Sequence, residues 1–248
     1  MKLYIAGTAS HREIVENRNI PYLLESYYYI KPWQMDYIKN HCQSFILDSG
    51  AFTFMGGFSF TQGNTNIQWE KYCDEYAEFV KANNIQYFIE LDIDSVVGYD
   101  KVKELRRELE KKVGRQCIPV WHSTRGVEEW KSMCDEYSYV AIGGIVGGEW
   151  KAQAEKFIPW FIKEAHKRNA MVHGLGFTKT KKLKEYHFDS VDSTRWSAGA
   201  RFGDLHYYID GEIRNAGRRN GYRCHGEKAL RHNLDEWLKM QKYADDCL

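Results

Sequence analysis

The 248 residues carry a net charge of +1, are 43% hydrophobic and are 15% aromatic. That apolar share excludes a largely disordered chain, and the length suits one large unit with a full core. The near-neutral balance excludes a global positive field, so a nucleic-acid partner would have to meet a local basic patch.

Strand-like runs alternate with helical patterns along the chain. KLYIAG (2–7) opens, and a second run lies within IPYLLESYYYI (20–30). SFILDSG (44–50) is third, and NIQWEKYCDEYAEFVKANN (66–84) then sets apolar residues at 69, 72, 76, 79 and 80, a helical spacing. IQYFIELD (85–92) is the fourth strand; the helix after it, over 100–114, has Asp100 as a cap candidate and stops at a glycine. CIPVWHS (117–123), the helix GVEEWKSMCDEY and the strand YVAIGG (139–144) follow. In the next helical pattern, EWKAQAEKFIPWFIKEAHKRN, Pro159 is expected to introduce a kink. MVHGLG (171–176), the helix TKTKKLKEYH and FDSVDST (188–194) complete eight strands. Residues 195–225, rich in Gly, Arg and Asn, read as one extended irregular stretch before a closing helix over 226–244.

Eight strands alternating with helices at this length predict a (β/α)8 TIM barrel in a single domain, 1–248. A doubly wound open sheet is the rival, but KLYIAGTASHRE lacks its GxGxxG loop. Six cysteines (Cys42, Cys73, Cys117, Cys134, Cys224 and Cys247) form no CxxC pair, which suits reduced thiols. The N-terminal apolar run is too short for a signal peptide, and no run approaches a membrane span. A cytoplasmic protein without membrane contact is expected.

Barrels gather their chemistry at the C-terminal ends of the strands. Asp48, Asp92, Asp94, His122, Gly143, Gly144, His173 and Asp192 all fall at such ends. One Asp there is explained as well by a helix cap or an Asx-turn. Carboxylates from three strands together with two histidines point to a site. HxH, HExxH and CxCxxC are absent, and Cys224-His225 with His232 reads as surface, so neither metal nor cofactor is expected. No GxSxG elbow supports a serine nucleophile. The remaining chemistry is carboxylate chemistry, with one Asp as nucleophile and another as acid or base, suited to displacement at a sugar anomeric carbon. In FDSVDSTRW (188–196), strand alternation sends Asp189 and Asp192 to opposite faces and puts Asp192 at the C-terminal end. The glycines of YVAIGGIVGGEW (139–150) admit a planar ligand against the backbone, or serve a phosphate loop or tight turn.

Four blocks in order resemble the tRNA-guanine transglycosylase family. DSGAFTF (48–54) is similar to its DSGGF motif, and AIGGIVGGE (141–149) to its AIGGLAVGE loop. HGLGFTKTKKLKEYHFDSVDSTR (173–195) and ARFGDLHYYIDGEIRNAG (200–217) resemble its nucleophile strand and its IRNA hairpin. The resemblance implies a (β/α)8 barrel that exchanges guanine for a 7-deazaguanine base. It implies Asp192 as the nucleophile at C1′, Asp48 as the second catalytic aspartate, and Asp92 as the acceptor for guanine N1 and its amine. Phe52 would stack on the base, and Gly143, Gly144 and Ile145 would meet its O6.

The departures lie in the base pocket and after the hairpin. Trp121 and His122 replace the family's VQGG glutamine and glycine, and His173 replaces a methionine under the base, so all three are expected to shape base choice. The family's zinc signature is missing after the hairpin. This shortened form resembles the phage-type DpdA relatives, which insert 7-deazaguanines into DNA. The resemblance thus implies DNA as polymer partner, with tRNA as the alternative, a free 7-deazaguanine base as second substrate, and the cytoplasm of a host cell for a phage-encoded chain. Arg195, Arg201, Arg214, Arg218 and Arg219 form a local basic stretch beside Asp192, read as phosphate contacts or as a solvated, salt-bridged surface. A target guanosine would have to leave its stack to expose the anomeric carbon. A carboxylate-pair N-glycoside hydrolase and an idle nucleic-acid-binding relative are the other readings.

Overall fold

The computed structural model describes residues 1–51, 67–144, 155–201, 203–216 and 226–248, with only the backbone for Arg201. Eight parallel strands form one sheet: β1 (Lys2–Ala6), β2 (Tyr22–Ser26), β3 (Ser44–Asp48), β4 (Tyr87–Phe88), β5 (Val120–Trp121), β6 (Tyr139–Ile142), β7 (Met171–Gly174) and β8 (Ser190–Ser193). Their order is β4-β3-β2-β1-β8-β7-β6-β5. The edges β4 and β5 meet through one further parallel bridge, Ile89 to Ile118, where Ile118 N–H donates to the Phe88 carbonyl at 2.8 Å. One rung further on, Val120 N–H donates to a side chain, Glu90 Oε1, at 2.7 Å. The barrel therefore closes, and one step of its closure is a carboxylate standing in for a backbone carbonyl.

Period-two alternation divides the core into two shells. Tyr4, Ala6, Tyr22, Leu24, Ile46, Ile89, Ile118, Val120 and Ala141 fill the barrel interior. Tyr4 and Tyr22 lie 5.8 Å apart by ring centroid and Tyr87 and Tyr139 5.7 Å, so aromatic rings plug the interior. Leu3, Ile5, Leu23 and Leu47 face outward into the larger shell beneath the helices.

The helical ring includes α1 (Arg12–Val15), α2 (Pro32–His41), α3 (Trp69–Ala82), α4 (Asp94–Val97), α5 (Tyr99–Val113), α6 (Gly126–Glu136), α7 (Ile158–His166) and α8 (Leu183–Tyr186). The spacing read in the sequence places α3 correctly, and its buried face is Trp69, Cys73, Tyr76, Ala77 and Val80. Two details differ from expectation. Asp100 lies inside the first turn of α5, because Gly98, at φ 82°, takes the cap position; the stop at left-handed Gly114 is as expected. Pro159 sits in the first turn of α7, where its missing N–H costs nothing; residues 149–154 of the expected longer helix lie outside the described residues.

The described part of the stretch expected to be irregular, 195–201 and 203–216, carries regular elements. Helix α9 (Arg195–Arg201) is followed by an antiparallel hairpin of β9 (Leu205–Ile209) and β10 (Glu212–Ala216), turned by Asp210 and Gly211, both at positive φ. Helix α10 (Gly226–Cys247) closes the ring. Buried Asn233 of α10 donates to the carbonyls of Trp196 and Asp204 and accepts from His206 N–H, tying α9 and the hairpin together. Among the described residues no helix is long and apolar enough to cross a membrane.

Candidate active site

Asp48 ends β3, level with Ser26 of β2. Its Oδ2 accepts from Gly50 N–H at 2.9 Å across a tight turn. Gly50 is required there: at φ +76° a side chain is strained, and a Cβ would fall 2.6 Å from Ser26 Oγ. Loss of solvent pushes the Asp48 carboxyl up to about 7, and the charges of Asp192 and Asp92 push the same way. The three carboxylates singled out in the sequence therefore share one electrostatic neighbourhood.

Asp192 lies in β8, in register with Tyr4 of β1, and is buried. Gly176 N–H donates to its Oδ1 at 2.6 Å, and His173 Nε2 lies 3.2 Å from the same oxygen. Among the described residues no donor reaches Oδ2. Asp189 behaves as a different kind of residue. It accepts from Val172 N–H at 2.7 Å and contacts His166 Nε2 at 2.9 Å, at the opposite end of the strand.

His173 is fully buried, beneath Asp192 rather than beside an open pocket. Its Nδ1 lies 2.6 Å from Ser190 Oγ, and Ser190 in turn bonds the Tyr139 hydroxyl. Ser190, His173 and Asp192 thus stand in the order of a hydrolytic triad. The serine, however, is buried under the histidine inside the plugged barrel, where no substrate reaches it. The expectation that His173 touches the base is corrected: its ring supports the carboxylate.

Trp121 is corrected as well. It and His122 are neighbours on one strand, so only one can face inward, and Val120 and His122 take that face. Trp121 packs outward on Trp130 and Phe161, with its Nε1–H donating to the Gly126 carbonyl at 3.0 Å. His122 Nε2 lies 2.7 Å from Asp92 Oδ1, and Asp92 is half-buried at the mouth. A Cβ on Gly143 would approach Val120 to 2.7 Å and His122 to 2.9 Å, so this glycine makes room for the histidine ring rather than for a ligand. Gly144 is left-handed, at φ 72°.

Phe52, Ile145, Arg218, Arg219, Cys224 and His225 lie outside the described residues, as does the Arg201 side chain. Arg195 is half-buried and reaches Asn215 of the hairpin at 3.5 Å, while Arg214 is exposed and 3.4 Å from Glu212. Asp92, Asp94 and His122 have potential ligand atoms within 4.8 Å of one another. Arg125 already answers their charge, with Nη2 2.9 Å from Asp94 and 3.8 Å from Asp92. Ser190, Tyr139, Gly176 and Arg125 were not anticipated. Ser190 had a signal, being two residues before Asp192 and so on the same face.

No family model and no curated protein matches the chain. Among solved structures, the tryptophan synthase A-subunit of Pyrococcus furiosus is 12% identical over 96% of each chain, with a TM-score of 0.47. The carboxyl transferase domain of Rhizobium etli pyruvate carboxylase is 12% identical over 97% of this chain and 48% of that one, with a TM-score of 0.43. A xylose isomerase domain protein from Planctomyces limnophilus is 9% identical over 99% of each chain, with a TM-score of 0.25. None of these assigns a reaction to the carboxylate cluster.

Proposed function

We propose that this protein is a DNA-guanine transglycosylase, exchanging guanine for a 7-deazaguanine base through a covalent Asp192–glycosyl intermediate. The observation that carries the reading is the division between two neighbouring carboxylates. Asp192 has one oxygen tied by donors and, among the described residues, no donor on the other, while Asp48 is raised to about 7, so a large share of it keeps its proton at neutral pH. That combination suits nucleophile and acid on one N-glycosidic bond.

In this scheme Asp192 Oδ2 attacks C1′, the C1′–N9 bond breaks, and its electron pair leaves with guanine. Asp48 donates the proton that neutralises the departing base. The incoming 7-deazaguanine then returns a proton to Asp48, forms its own bond to C1′ and releases Asp192. Asp92 would accept from the base N1–H and amine through Oδ2, since its contacts to His122 and Arg125 fall on Oδ1. Arg195 and Arg214 would meet phosphate in this reading. Absence of the family's cysteine-rich zinc signature from the sequence favours DNA over tRNA.

The test is incubation with guanine-containing DNA, or with tRNA, and labelled guanine, followed by nucleoside mass spectrometry. Incorporation into DNA without net base loss is expected. Incorporation into tRNA alone overturns the choice of polymer, abasic sites alone indicate a hydrolase, and no change in either polymer sinks the reading.

A further inference from the structure

We propose that His173 is a positioning residue: pinned from beneath by Ser190 and Tyr139, it fixes one oxygen of Asp192 and so aims the other at the substrate. The kinetic part of this rests on the transglycosylase reading; the structural part does not.

Satisfaction of buried polar groups sets the direction of the chain. The Tyr139 hydroxyl has Ser190 Oγ as its hydrogen-bond partner and lies within the barrel, with Tyr87 stacked edge-on beside it. Burial pushes its phenol well above the usual tyrosine range, so it keeps its proton, and among the described residues Ser190 Oγ is the acceptor within reach of it. Ser190 then has its own proton for His173 Nδ1, at 2.6 Å. With Nδ1 accepting, the ring carries its proton on Nε2, facing Asp192 Oδ1 at 3.2 Å. Gly176 N–H donates to that same oxygen at 2.6 Å. Two donors from different directions hold one oxygen, which fixes the plane of the carboxylate.

The ring itself has little freedom. It lies 6.1 Å from Tyr4 and 6.5 Å from Tyr139 by centroid, both edge-on, and is fully buried. The serine and histidine of an apparent triad thus serve to orient the aspartate, the reverse of their roles in a serine hydrolase.

Two measurements test this. Imidazole 15N NMR of the full-length protein should show His173 protonated at Nε2 and bare at Nδ1, and Ser190→Ala should abolish that single tautomer. A proton on Nδ1 in the wild type overturns the proposal whatever the reaction is. Base exchange should then be compared for His173→Gln, which keeps a donor toward Asp192, and His173→Leu, which does not. The Leu variant should lose about 100-fold in kcat with KM for the base nearly unchanged, and Gln should recover most of it. Gln no better than Leu, or a loss confined to KM, overturns it. If the wild type exchanges no base, the functional reading falls by itself and the tautomer measurement alone decides the positioning.

Discussion

At the level of single residues, the two aspartates of FDSVDSTRW separate by what they touch. Asp192 faces the mouth with one oxygen that no donor among the described residues reaches, whereas Asp189 stitches Val172 and His166 at the far end of the barrel. Asp192→Ala should therefore lower exchange by on the order of 10⁴-fold or more and remove the covalent adduct trapped on a denaturing gel. Asp189→Ala should melt earlier yet retain the adduct, and equal activity of the two variants would overturn the assignment. Asp48 makes a second expectation. Its carboxyl is raised to about 7, so the proton that guanine departure needs is present below that value and lost above it. Single-turnover adduct formation should hold level on the acid side of 7 and decline as pH rises through it. A profile flat to pH 9 would remove Asp48 from the acid role.

Among the elements, the sequence was most informative where alternation and turn chemistry act alone. Period two admits only one of Trp121 and His122 to the inward face, although both are expected at the base, and the hairpin within 195–225 is legible only through the resemblance of residues 200–217. What composition could not reveal was Asn233 of α10, 27 to 37 residues from its partners, whose three bonds to backbone groups tie α9 to the hairpin. Gly211→Ala should cost about 2 kcal/mol in a denaturant melt, since φ is +82° and a Cβ would meet the Tyr243 ring at 2.7 Å. Glu25 of β2 gives an element-scale pH effect. It is buried, accepts from Thr8 N–H at 2.8 Å and from the Thr8 hydroxyl, and burial raises it to about 7. A carboxyl raised in the folded state favours folding when protonated. Its share is full below the unfolded value and lost as pH rises through the folded one, roughly 3 kcal/mol in all. Unfolding free energies at pH 5 and pH 8 should differ less in Glu25→Gln than in the wild type; an unchanged difference would place the effect elsewhere.

For the molecule as a whole, the eight-strand count and the convergence of Asp48, Asp92 and Asp192 were legible because each strand announces itself locally. The closure was not. The segments at β4 and β5 read as full strands, yet each pairs over only two ladder residues, and the junction depends on Glu90, a group with no local signature. Burial raises Glu90 while Arg106, at 2.6 Å, and Arg125, at 3.7 Å, oppose that shift. Removing one partner from such a network leaves an uncompensated charge. Amides of Ile118 and Val120 should thus exchange with deuterium sooner than those of Ile5 and Val191, and Glu90→Gln should widen the gap; uniform protection around the ring would contradict this. The seam also divides the mouth mechanically. Asp92 and His122 follow the two strands that meet there, while Asp192 and His173 lie within β8 and β7, which pair directly in the sheet away from that junction. Warming or mild urea should therefore blunt discrimination among competing bases before it slows attack on the sugar, so that fidelity fails ahead of turnover.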